Sequence, residues 1–244
     1  PAFLVTIDAE GDNLWAGPKL PTVENGRFLP RFQQLCEAAG LKPTYLADWQ
    51  MCHCPAFVEL AGDAVARGQA EVGMHLHPAN TPPHLAPIDD NPVALPCLVD
   101  YPQPIMRDKI ARITEELTRT FGHRPVSHRA GRWIINGVYA SLLADAGYQV
   151  DCSITPHVAW PGAAGGKGIA ADYCQCPESA YFADLADPRR PARAQVRQAD
   201  PPEPPIPPGC CSLLEVPMTI LAGQRPPLAR ALCRAIEWCG LGRK

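Results

Sequence analysis

The chain has 244 residues, 46% of them hydrophobic, and a net charge of −3. That length supports one large α/β domain or two small ones, and the net negative charge without a basic stripe argues against a nucleic-acid partner. No apolar run approaches the roughly 20 residues needed to cross a bilayer.

In chain order, Phe3–Ile7 is an apolar strand that ends in the acidic run Asp8-Ala9-Glu10-Gly11-Asp12. Arg27–Ala39 reads as a helix stopped by Gly40, and Thr44–Ala47 as a strand. Pro55 opens a helix as its first residue and Gly68 closes it. Ala70–His75 is a third strand, running into a turn at Pro78. Met106, Ile110, Ile113, Leu117 and Phe121 recur at helical spacing, and Gly122 ends that helix. Val126–His128 is a short strand, Ile135–Ala146 a helix stopped by Gly147, and Tyr148–Cys152 and Leu213–Val216 are further strands. Leu228–Trp238 is a last helix. This β-α alternation predicts a mostly parallel sheet with outer helices, open or closed into a barrel.

Two segments break the pattern. Residues 78–104 carry eight prolines, which suits a loop walling a groove beside the third strand. Residues 186–209 end Pro-Pro-Glu-Pro-Pro-Ile-Pro-Pro and read as a mobile insertion within a single domain spanning 1–244. The 11 cysteines are scattered and odd in number, which favours reduced thiols and a cytoplasmic bacterial setting over a periplasmic one. Cys52-His53-Cys54 and Cys174-Gln175-Cys176 have C-x-C spacing, a weaker pattern for structural zinc than C-x-x-C. The chain opens on Pro1 and not on Met, so a trimmed start or a fragment is expected, with a removed leader left open; a truncated C-terminus is expected too.

The chemistry concentrates at strand ends. His75 and His77 are two apart and project to one face, where two imidazoles suit a zinc-class metal with a carboxylate as third ligand. Asp8, Glu10 and Asp12 share one parity and supply that carboxylate. Arg129 and Asp151 each follow a strand and could pair to hold a catalytic carboxylate, and Trp133 could stack on a sugar face.

These blocks resemble the polysaccharide deacetylases, the metal-dependent carbohydrate esterases of the NodB-homology type. Thr6-Ile7-Asp8-Ala9-Glu10-Gly11-Asp12-Asn13 is similar to the family's first motif, and Glu71-Val72-Gly73-Met74-His75-Leu76-His77 to its histidine-bearing second. Arg129-Ala130-Gly131-Arg132-Trp133 resembles the third, and Asp151-Cys152-Ser153-Ile154-Thr155-Pro156 the fourth. Leu214-Glu215-Val216-Pro217 resembles the following strand in a branch associated with bacterial surface polysaccharide and lipopolysaccharide clusters. The resemblance implies a distorted (β/α) barrel and a divalent metal, Zn2+ by preference. It implies a hydrolase that removes acetyl groups from N-acetylated or O-acetylated sugars. Asp8 would be the general base, Arg129 its orienting partner and Asp151 the residue tuning that Arg. Glu10 or Asp12, with His75, would bind metal. Trp133, Arg132 and Asn80 would meet the carbohydrate.

The chain also departs from the family. Ala9 interrupts the usual Asp-Asp pair, so Glu10 is preferred as the metal carboxylate. The usual second histidine position holds Ala79, so His77 or a water replaces it. The family's late histidine has no match, and His128 or His157 are its conceivable substitutes. Three other readings are a catalytically inactive sugar-binding relative, an amide or ureide hydrolase on the same fold, and an iron oxygenase using two histidines and a carboxylate.

Overall fold

The computed structural model describes residues 3–13, 21–84, 97–160, 171–192 and 212–220. The first half alternates strand and helix: β1 (Thr6–Ala9), α1 (Leu29–Ala38), β2 (Thr44–Ala47), α2 (Pro55–Ala66) and β3 (Glu71–Leu76). It continues with α3 (Gln103–Phe121), β4 (Ser127–Ala130), α4 (Gly137–Asp145) and β5 (Val150–Asp151). A second half of short strands follows: β6 (Ala159–Trp160), β7 (Ala171–Asp172), β8 (Tyr181–Asp184), β9 (Asp187–Pro191) and β10 (Leu214–Glu215). One sheet has the order β1-β2-β3-β4-β5-β10-β8-β9, and β6 and β7 form a separate ladder. Strands β1 to β5 and β10 pair in parallel, while β8 and β9 run antiparallel at the end. The expected mostly parallel α/β sheet is therefore present. Among the described residues no pairing joins β1 to β9, so closure into a barrel is not seen.

The element boundaries have local causes. β1 starts later than the apolar run because Thr6 is the first residue aligned with β2, opposite Thr44, and it leaves Phe3 75% exposed. A short 3-10 turn, Glu24–Phe28, precedes α1, and Pro30 sits in the first turn of that helix, where its missing N–H costs nothing. α4 begins only at Gly137 because the Asn136 side chain accepts the Tyr139 N–H (2.9 Å) and caps the helix. Gly122, at φ 75°, ends α3 in the left-handed conformation that glycine adopts without penalty. The proline-rich segment expected over 186–209 begins as a strand, since 187–191 pair with β8. Its remainder from 193 and the helix expected at 228–238 lie outside the described residues.

The register sorts side chains onto two faces. Aligned neighbours in parallel strands share a face, and successive residues alternate. Ala9, Tyr45, Ala47, Val72, Met74, Leu76 and Ala130 take one face and form the core with Phe57 and Ala61 of α2, Ile110 and Ile113 of α3, and Tyr139 and Leu143 of α4. Thr6, Asp8, Leu46, Gly73, His75 and Arg129 take the other. Space on that second face is tight. A methyl on Gly73 would meet Ser127 Oγ at 2.2 Å and Leu46 Cδ2 at 2.8 Å.

Candidate metal and catalytic site

The second face is concave. The Arg129 guanidinium on β4 bonds Asp8 Oδ1 and Thr6 Oγ1 (2.6 Å), both on β1, across the intervening β2 and β3. Side chains standing perpendicular to a flat sheet would not span three strand spacings of about 4.8 Å. The sheet therefore curls towards this face and brings its strand ends together.

Three ligand atoms converge there. Glu10 Oε2 lies 2.7 Å from His77 Nε2 and 3.2 Å from His75 Nε2. The two imidazole Nε2 atoms are 3.0 Å apart. Glu10, His75 and His77 are the residues, among those described, whose grouping could hold a metal ion. Ligand atoms around a tetrahedral zinc stand about 3.3 Å apart, so the cluster is close to the required size. His75 Nδ1 faces the Arg129 carbonyl oxygen at 2.9 Å, and donating there leaves its Nε2 as the ligand nitrogen. Both histidines are buried. Gly131 lets the His77 ring lie flat on the backbone, because a methyl there would meet His77 Nδ1 at 2.8 Å and the Leu76 carbonyl at 2.5 Å. These features fit a divalent cation with two imidazole ligands and a carboxylate.

The electrostatics agree. Burial pushes the Glu10 carboxyl up, but hydrogen bonds and charge from the two imidazoles outweigh it and hold the group near about 2. Burial pushes His75 down, and the hydrogen bond to Glu10 with the Asp8 charge outweighs it, so His75 ends above its ordinary value. For His77 burial prevails, and it ends below. Below its raised value, His75 thus carries a proton in the metal-free cluster. A cation must displace that proton, so zinc affinity is expected to fall about tenfold per pH unit once pH drops below the raised His75 value. Calorimetry in buffers of different ionisation enthalpy should then count about one proton released per zinc.

Not every expected residue joins the cluster. Glu10 and Asp12 both lie past the end of β1 at Ala9, so strand parity governs neither. Asp12 turns away into a bridge with Thr22, whose hydroxyl donates to its carboxylate. Glu10 is the carboxylate that meets the imidazoles. Asp151 does not tune Arg129. It aligns with His128, one residue before Arg129, and so faces the opposite side of the sheet. There it bonds His128 Nδ1 (2.6 Å) and the Ser153 hydroxyl (2.7 Å). The Arg129 guanidinium instead completes its bonding with Nε donating to the Cys152 carbonyl (2.9 Å). His128 Nε2 meets the Tyr139 hydroxyl (2.8 Å) in the same buried network. Glu215 of β10 belongs to it too, its carboxyl pushed well up by burial and by the neighbouring Asp151 charge. His157 is paired with Glu178 at 2.9 Å near the surface.

Among the expected carbohydrate-binding residues, Arg132 and Trp133 follow β4 with φ of 61° and 55°, a left-handed conformation that costs a non-glycine residue about 1 kcal/mol or more. One face of the Trp133 ring stacks on Trp160, at 4.8 Å between centroids and 22° between planes. Asn80 lies in the turn after His77, its backbone N–H on the His77 carbonyl (3.2 Å).

Asp48 carried no motif in the sequence yet sits beside the cluster. It is fully buried at the end of β2, accepting the Gly11 N–H (3.0 Å) and the Met51 N–H (2.8 Å), and so anchors the loop that carries Glu10. Burial outweighs those two hydrogen bonds and pushes its carboxyl to about 6. The C-x-C segments add no second metal grouping among the described residues, and the seven cysteines described are free.

No family model matches the sequence, and no curated protein matches it. Solved structures do. One is a candidate polysaccharide deacetylase from Mycobacterium smegmatis, 18% identical, covering 98% of this chain and 72% of that one, with a TM-score of 0.53. The fold is similar to that of a polysaccharide deacetylase. A second is a candidate glycoside hydrolase/deacetylase from Parabacteroides distasonis, 13% identical with a TM-score of 0.50, covering 78% of this chain and 41% of that longer one. At these identities the likeness to deacetylase structures speaks to the fold, and the chemistry rests on the residues.

Proposed function

We propose that the chain is a metal-dependent hydrolase that removes acetyl groups from N-acetylated or O-acetylated sugars. Zinc is the metal its ligand types favour. The observation that carries the reading is the Glu10–His75–His77 cluster beside the Asp8–Arg129 ion pair on one concave sheet face. Asp8 shares the sheet face of His75 and Arg129 by register, which supports a role for its carboxylate beside the cluster. The concave face also suits the distorted (β/α) barrel of the deacetylase fold.

A divalent metal in that cluster supplies Lewis-acid polarisation of the acetyl carbonyl and a more acidic water. Asp8, oriented by Arg129, takes a proton from the attacking water. As the bond from the acetyl carbon to nitrogen or oxygen breaks, the leaving group takes that proton back, giving acetate and a free amine or hydroxyl. His128 is turned to the far face and His157 is engaged with Glu178, so both proton transfers are assigned to Asp8. We assign the stacking of a sugar ring to Trp133, whose ring already stacks on Trp160, with Arg132 and Asn80 as its polar contacts. A bacterial surface polysaccharide or its precursor is the favoured substrate, and the free cysteines suit a cytoplasmic setting.

The test is acetate release from N-acetylated oligosaccharides by the zinc-loaded protein, with free amine measured in parallel. Equal amounts of acetate and amine are expected. Bound zinc without acetate release would favour an inactive sugar-binding relative, and ammonia release from small amides would favour an amide hydrolase.

A further inference from the structure

Lys109 lies in the middle of the core-facing stripe of α3, between Met106 and Ile113, and is 1% exposed. A buried ammonium costs several kcal/mol unless its protons are satisfied. Here all three find acceptors. Nζ donates to the carbonyl oxygens of Pro78 (2.8 Å), Thr81 (2.6 Å) and Pro83 (2.8 Å), and it lies 5.3 Å from the centre of the Tyr101 ring. All three carbonyls belong to the turn that leaves β3 at His77. The other end of that turn is tied as well, since the His77 carbonyl accepts the N–H groups of Asn80 (3.2 Å) and Thr81 (3.1 Å). An apolar side chain of similar length, such as methionine, would satisfy none of the three carbonyls. What the charge secures is the path of the backbone directly after the second imidazole.

We infer that Lys109 is a positioning residue for the candidate metal centre: its ammonium gathers the carbonyls of the 78–83 turn and so fixes the His77 backbone from which the second imidazole reaches Glu10. The inference rests on the proposed metal reading, and it adds a group that touches neither metal nor substrate. Changes to groups that orient metal ligands typically cost 10–100-fold in affinity.

The test is the zinc affinity of the folded Lys109→Met variant, measured by competition with a chelator. A loss of about 10–100-fold is expected against the unaltered chain. Lys109→Met that binds zinc as tightly as the unaltered chain overturns the inference and leaves the metal reading standing. Zinc binding by neither overturns the metal reading and the inference with it. Should the variant not fold, the unaltered protein supplies the second measurement, because coupling between the turn and the metal is reciprocal. Zinc is expected to slow amide hydrogen exchange at Asn80 and Thr81 by about tenfold or more, and exchange there that zinc leaves unchanged overturns the inference.

Discussion

His75→Ala is expected to abolish stoichiometric zinc binding. Its Nε2 is one of three convergent ligand atoms, and its Nδ1 lies against the Arg129 carbonyl, so ring orientation is fixed before a metal arrives. Without it Glu10 and His77 remain, a pair too sparse for a site that needs three protein ligands. The loss should exceed the about 10–100-fold cost of altering an outer partner. Equilibrium dialysis followed by metal analysis measures it, with circular dichroism to show that the variant folds. Retention of one zinc per chain would place the metal elsewhere.

Asp8→Asn is expected to keep zinc and lose about 10²–10⁴-fold in acetate release, the usual range for a positioned general base. The amide keeps the shape of the carboxylate and an oxygen that can accept from Arg129, so the buried guanidinium is not abandoned. What disappears is the ability to take a proton from water. Alanine would be a poorer probe, since removing one partner of a buried ion pair costs about 3–5 kcal/mol and would confuse stability with catalysis. Full activity in the zinc-loaded Asn variant would remove Asp8 from the chemistry.

The parts of this site that were legible in the sequence were those governed by local periodicity. His75 lies on β3 and His77 directly after its last residue, Leu76, so their convergence still followed the two-residue repeat of the strand. Glu10 and Asp12 were equally eligible by parity, and what separates them is the bridge that ties Asp12 to Thr22, a pairing that hydrophobic runs do not show. Asp151 was misplaced for a related reason. Which face it takes depends on its alignment with His128, and register between distant strands leaves no trace in a single sequence. Asp48 had no motif, because beyond a local bond from the Met51 N–H its role is to accept the Gly11 N–H from a loop that the fold brings to it. Lys109 did carry a signal, a charge within the apolar stripe of α3, but helical spacing alone does not say what such a charge holds.

The central claim is that Glu10, His75 and His77 share one metal ion beside Asp8. An anomalous-difference map from zinc-soaked crystals tests it most directly. The account predicts a single strong peak within about 2.2 Å of Glu10 Oε2, His75 Nε2 and His77 Nε2. A peak bound by other residues, or none at full zinc occupancy of the solution, would contradict it.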